Sequence, residues 1–383
     1  MLKNSHEKVK QLIYLYFYIF EMQFIPSVRF RIIDEGKLLV FPIIYFFSAF
    51  CNIWHFVYEV KSLENILELA VITNIMIAAI EIIFTTTIVN LGFKRHHLRV
   101  QRYFENIVES SDEFMSKARD IHLCTILEIA AYKAVRFFST CFVITGQLFP
   151  VTSLVQTNFV SPTYYRIPGI PPSSVFLYPV NIIVQFFFYW CIIIAYIAIP
   201  CLFLIYLFYF RGEIYSIAAV SELLTHKENL SLKCPRILRS IYEAHRELMQ
   251  EFRYFSQVMW HFCCHRFFTV ILLTCSSSFS CLQANSIVIG MILLTLAISL
   301  FVILCVPGQL IDNCSEDLQG TLYECLWYEM SLKDQRNFLL ILNGAQRSMK
   351  VETIGIEKIS FSTLVQGITT AISYIAFVYT VLF

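Results

Sequence analysis

At 383 residues, with 57% hydrophobic residues and a mean hydropathy of +0.63, the chain carries more apolar surface than a soluble core of this length needs. That excess argues against a soluble globular protein, and a net charge of +1 gives no basic surface for nucleic acid. What remains is a membrane chain.

In chain order, Lys3, Lys8 and Lys10 precede Leu12–Phe20, a stretch that is mostly aromatic and ends at Glu21. It is too short to span and lacks a small-residue cleavage site, so no cleavable signal is expected; a helix lying on the inner membrane surface fits better. Seven apolar runs follow, at about 38–58, 66–92, 134–156, 178–210, 266–284, 286–306 and 360–383. Each has about the 20 residues that a helix needs to cross ~30 Å of hydrocarbon. Run 178–210 is longer and is expected to tilt or to extend into the cytoplasm. With no repeat or Gly/Ser linker, the pattern predicts one all-α domain over 1–383, a seven-helix transmembrane bundle.

Charge fixes its orientation. The N-terminus and the second, fourth and sixth gaps are rich in Lys and Arg, whereas the intervening gaps offer only Lys61 and Arg166. Cations near span ends stay cytoplasmic. The N-terminus is therefore expected inside and the C-terminus outside. Both Asn-x-Ser sequons, at Asn229 and Asn313, then fall on the inner side, and few of the 13 cysteines are placed for an extracellular disulfide.

Several residues within this frame need a reason. Glu81 sits inside the second span, and Lys133 and Arg136 lie at the inner start of the third. Burying such charges costs at least ~2.5 kcal/mol each, so Glu81 is expected to pair with one of these two cations. The outer loop Val151–Leu177 carries four prolines and predicts an extended, ordered lid. In the cytoplasmic stretch 211–265, Leu238, Ile241, Leu248 and Phe252 follow helical spacing, as do apolar positions in Leu322–Leu342. These segments predict helices continuing below the membrane as a cytoplasmic bundle. His261-Phe262-Cys263-Cys264-His265 has zinc-like i,i+4 histidines but lacks the metalloprotease glutamate, and interfacial histidines are the simpler reading. No phosphate loop, nucleophile elbow or dinucleotide fingerprint occurs. An enzyme, a cofactor and a metal are not expected.

The C-terminal third carries a more specific pattern. Pro307-Gly308-Gln309-Leu310 follows the sixth span, then Glu316, Leu318, Tyr323 and Trp327-Tyr328. Arg336 precedes apolar Phe338–Leu342, with Gln346-Arg347 after it; the chain closes on Phe361-Ser362-Thr363-Leu364 and a last helix with Ser373-Tyr374. This ordered set resembles the insect odorant receptor family, and upstream of the fifth span the likeness is mainly architectural. Gustatory receptors share the topology, but the Gln-Phe pair usual in their last span is missing. Loop 211–265 shows no insertion such as the odorant co-receptor carries. A gustatory-type channel remains the alternative. A G-protein-coupled receptor or a transporter is opposed by the charge pattern and by the lack of their motifs.

The resemblance implies a ligand-recognising subunit of an odorant-gated, non-selective cation channel, a heterotetramer with the co-receptor in the plasma membrane of a sensory dendrite. Its partners would be a small volatile, membrane lipid, and monovalent and divalent cations. The ligand would bind in the outer half of the bundle. Candidates there are Ile72, Thr73 and Met76; Phe142, Gly146 and Phe149; Tyr178, Phe187 and Phe188; and Ser286 with Ile289. The pore would be lined by the last helix, whose Tyr374, Phe377, Val378 and Val381 form one apolar stripe suited to closing by dewetting. Tyr323, Trp327, Tyr328 and Arg336 would belong to the cytoplasmic intersubunit anchor.

Overall fold

The computed structural model describes residues 1–21, 40–58, 66–88, 94–156, 167–169, 175, 177–281, 287–347, 349–352 and 358–382. Among these residues every regular element is a helix. Seven helices overlie the apolar runs: α2 (Val40–Tyr58), α3 (Ile66–Ile88), α6 (Val135–Gln156), α7 (Leu177–Glu222), α9 (Cys234–Cys281), α10 (Ile287–Glu324) and α12 (Phe361–Leu382). Around them stand α1 (Leu2–Glu21), α4 (Lys94–Glu109), α5 (Glu113–Ile126), the short α8 (Lys227–Leu232) and α11 (Leu332–Ala345).

Three helices are much longer than a membrane is thick. α7, α9 and α10 have 46, 48 and 38 residues. At 1.5 Å per residue they run about 57–72 Å, against ~30 Å of hydrocarbon. α9 sustains its length because its only proline, Pro235, lies in the first turn, where a missing N–H breaks no hydrogen bond. The stretch 211–265 is therefore mostly the continuation of α7 and the beginning of α9. The expected proline lid is largely outside the described residues; α6 runs to Gln156, and beyond it Gly169 turns with φ of +89°.

α5 begins at Asp112, whose Oδ1 accepts from the Phe114 and Met115 N–H groups at 3.0 and 2.8 Å. It runs into α6 through a π-helical stretch, Leu127–Ala134, which sets Leu127 and Ala131 in the core. α7 is apolar all round, and from about Cys191 onward it is almost wholly buried, the mark of a central helix. Its inner half holds an aromatic cluster: Phe104 stacks on Tyr209 with centroids 4.1 Å apart, and Phe210 packs against Phe252 and Phe255. α1 does not simply lie on the membrane. Val9, Leu12, Ile13 and Tyr16 are buried against the rest of the chain, and the Tyr209 hydroxyl lies 2.8 Å from His6 Nδ1.

Candidate functional site

A small cavity opens among five helices within the bundle. Its walls are Asn74, Ile75 and Ala78 from α3, Phe142 from α6, and Tyr189, Ile192, Ile193 and Tyr196 from α7. α9 adds Leu273 and Ser277, and α10 adds Leu293, Leu296, Ala297 and Leu300. The α7 residues stand at i, i+3, i+4 and i+7, one helical face. The cavity is small: about 60 Å³ is open to the centre of a water-sized sphere.

The lining is aliphatic and aromatic apart from a few polar groups. Asn74 Nδ2 donates to Ser276 Oγ at 2.9 Å, and Ser277 Oγ donates to Asn74 Oδ1 at 3.2 Å, so the amide is held by α9. Such a site suits a small apolar molecule with one or two hydrogen-bonding atoms.

A buried ion pair lies at the inner end of the cavity. Arg266 Nη1 donates to Glu81 Oε1, Arg266 Nη2 donates to the Tyr196 carbonyl at 3.0 Å, and the guanidinium carbon stands 4.0 Å from the Tyr196 ring centre. Tyr196 thus belongs to both the cavity wall and the ion pair. Glu81 Oε2, Arg266 Nε and the Tyr196 hydroxyl are buried without hydrogen-bond partners.

The expected pairing of Glu81 is corrected here. Lys133 sits 3.5 Å from Glu128, and Arg136 donates to the Tyr132 hydroxyl at 3.0 Å, both on the exposed side of their helix. Arg266, at the very edge of the apolar run 266–284, faces inward from α9 and takes the carboxylate.

Of the residues expected to bind ligand, Phe142 lines the cavity. Phe149 packs behind it against Tyr189 at 5.1 Å between centroids, and Ile72 and Ile289 are buried nearby. Gly146 lies behind a wall residue: a Cβ there would come within 2.9 Å of Ile193 Cδ1. Thr73 and Phe187 are exposed, and Met76 and Phe188 are half-buried outside the lining. Their helices present Asn74, Ile75 and Ala78, and Tyr189, Ile192, Ile193 and Tyr196, to the cavity, and each residue along the helix turns by about 100°. Ser286 and the Tyr178 side chain lie outside the described residues. Sequence reading missed Asn74, Ser277, Tyr196 and Arg266, although each is a polar or amphipathic residue in an apolar run, which is itself a functional signal.

The last helix buries a narrow face of small residues, Thr363, Gly367 and Ala371, at i, i+4 and i+8. Tyr374 and Phe377 are exposed in the single chain, and the Val378 and Val381 side chains lie outside the described residues. Tyr323, Trp327, Tyr328 and Arg336 are exposed beside Leu332, Leu339 and Leu340. The histidine–cysteine run does not converge: Cys263 faces the core while His265 stacks on Phe84 at 4.0 Å. Among the described residues no three His, Cys, Asp or Glu side chains group to hold a metal.

A sequence profile of the 7tm odorant receptor family matches residues 67–372. No curated protein matches the chain. The fold is similar to that of the insect olfactory receptor OR5 from Machilis hrabei, solved alone and in complex with eugenol. The eugenol complex is 14% identical, with 98% of this chain and 100% of that one covered and a TM-score of 0.74. The structure without eugenol is 13% identical over the same shares, with a TM-score of 0.73.

Proposed function

This chain belongs to the 7tm odorant receptor family, and from that premise we propose that it is the ligand-recognising subunit of an odorant-gated cation channel. It is a multi-pass membrane protein. In this reading the N-terminus is cytoplasmic, the C-terminus is extracellular, and the protein works with co-receptor subunits in the plasma membrane of a sensory dendrite. The charge asymmetry of the loops supports the orientation.

The observation that carries the reading is the size and composition of the cavity. It is apolar with a held amide and a hydroxyl at its edge, as a small volatile with one polar atom requires. The space open to sphere centres is small, and a ligand seated there presses on walls contributed by five helices. A ligand opens a channel only through tighter binding to the open arrangement; a cavity whose fit improves as its helices part supplies that difference. Eugenol, bound by the Machilis hrabei receptor, is a small phenolic molecule of this kind.

Four copies of α12 around an axis would form the pore, with Tyr374, Phe377, Val378 and Val381 closing it by dewetting. The exposed aromatics Tyr323, Trp327 and Tyr328, with Arg336, would meet neighbouring subunits, which accounts for large apolar side chains at a cytoplasmic end. Ile72, Phe142, Phe149 and Ile289 would shape the pocket directly or from behind.

The test is whole-cell current in cells expressing the chain with and without an odorant co-receptor, during exposure to a volatile panel. Rapid cation current only with both subunits is expected. Current from this chain alone would replace the heteromeric reading with a self-sufficient channel, and silence at normal surface density would reject the channel reading. Within the same assay Gly146→Ala should push Ile193 into the cavity and raise the half-maximal concentration of the bulkiest active ligands about tenfold, sparing the smallest.

A further inference from the structure

α10 is at once a wall of the cavity and a support of the last helix, which also packs extensively on α9. Its outer half supplies Leu293, Leu296, Ala297 and Leu300 to the cavity. The next residue, Phe301, is turned by about 100° and is fully buried. Its ring lies directly on the backbone of α12: a Cβ on Gly367 would come within 2.2 Å of Phe301 Cζ. The Phe267 ring of α9 meets it edge-on, with centroids 5.5 Å apart. No side chain stands between ring and glycine to absorb a shift, and close-packed contacts of this kind transmit displacement rather than damp it.

Seven residues further in, the same helix holds the segment that leads into α12. A Cβ on Gly308 would come within 2.3 Å of the Ile359 carbonyl oxygen, so that backbone runs against the helix. Asp312 is ion-paired with Lys358, and Ser315 Oγ accepts from the Met349 N–H at 3.3 Å. Gly308, Asp312 and Ser315 stand at i, i+4 and i+7, one stripe. Ile359 N–H closes the segment on itself by donating to the Val351 carbonyl at 2.9 Å. Between the cavity wall and this clamp lies Pro307, which removes a helical hydrogen bond and gives α10 a place to bend.

We propose that Phe301 and Gly367 form the contact through which cavity occupancy moves the last helix, with the Gly308–Asp312–Ser315 stripe as the fixed inner pivot. The inference rests on the channel reading above. When ligand parts the walls, the outer half of α10 moves about Pro307, Phe301 pushes on Gly367, and α12 turns about its clamped inner end. Phe301 and Gly367 are positioning residues; neither lines the cavity.

The test compares wild type, Gly367→Ala, Phe301→Leu and the double variant, each with the co-receptor, reading surface density, ligand-free current and ligand-evoked current across the volatile panel. Either single change should lower the ratio of evoked to ligand-free current about fivefold or more, with surface density and the order of ligand potencies unchanged. The double variant, in which the smaller side chain makes room for the added methyl, should return to within about twofold of wild type. Additive losses in the double variant would overturn the proposal. So would an unchanged ratio in Phe301→Leu, a variant that adds no bulk and serves if Gly367→Ala does not reach the surface. A silent wild type would instead reject the channel reading, and the inference with it.

Discussion

Two Arg–Glu pairs are buried in the bundle, one in its inner half and one between that half and the cavity, and they are finished differently. In the inner half, Arg119 donates from Nε to Glu213 Oε2 at 2.9 Å and from Nη1 to the Ile107 carbonyl at 3.3 Å, next to the aromatic cluster. Burial works against the Arg119 charge, but Glu213 beside it outweighs burial and holds the guanidinium above its ordinary pKa. Beside the cavity, Glu81 and Arg266 keep two polar atoms without hydrogen-bond partners, and their neighbour Tyr196 is shared with the cavity wall. A satisfied pair fixes a structure, whereas a part-satisfied one keeps hydrogen-bonding capacity in reserve. The pair beside the aromatic cluster therefore belongs to the frame, and the pair beside the cavity to the part able to respond.

The strongest way to break this contrast is at the frame. Arg119→Met strands the Glu213 carboxylate in the interior and should cost about 3–5 kcal/mol, read as a large loss of thermal stability in detergent. Adding Glu213→Leu should recover much of it, and a single variant that melts like wild type would dissolve the distinction. Next in size, Glu81→Gln keeps a hydrogen-bonding group but removes the charge, for about 2 kcal/mol. Its clearer effect should be a changed order of ligand potencies through Tyr196. A loss of stability matching that of Arg119→Met, with potencies unmoved, would make the pair beside the cavity a second frame.

The smallest effect concerns His245, buried between α9 and α11 with its ring 3.3 Å from where a Gly344 Cβ would stand. Burial lowers its pKa below the ordinary value. The unfolded chain then takes up the proton first as pH falls through about 6.5, so the contribution of neutral His245 is complete above that pH and declines below it. Melting curves at stepped pH should show this decline in wild type and a weaker one in His245→Phe.

How much of this was legible in the sequence follows from what a membrane hides. The seven runs were readable because ~20 apolar residues have few other uses, and the loop cations gave their order. Helix phase was not readable. α7 is apolar on every side, so nothing distinguishes Tyr189 and Tyr196, which face the cavity, from Phe187, which does not. On α3 the same blindness put Thr73 in the pocket in place of Asn74. Arg266 escaped because it stands where polar gives way to apolar, and a boundary cation reads as a flank; only its inward direction makes it the partner of Glu81. The cytoplasmic rods were half-visible, since Leu238, Ile241 and Leu248 kept helical spacing, but their continuity with the spans is a matter of length that no local pattern encodes.

The π-helical turn at Leu127–Ala134 has a consequence in the accounting of sequence length. A widened turn of this kind takes up one residue more than the α-helix around it would hold. Because the widened turn and an ordinary α-helical turn sweep nearly the same angle, deleting a single residue there would restore ordinary winding and leave Phe142 and Gly146 facing as they do. The turn therefore lets the number of residues between α5 and the third span differ by one without re-aiming the face that Phe142 presents to the cavity.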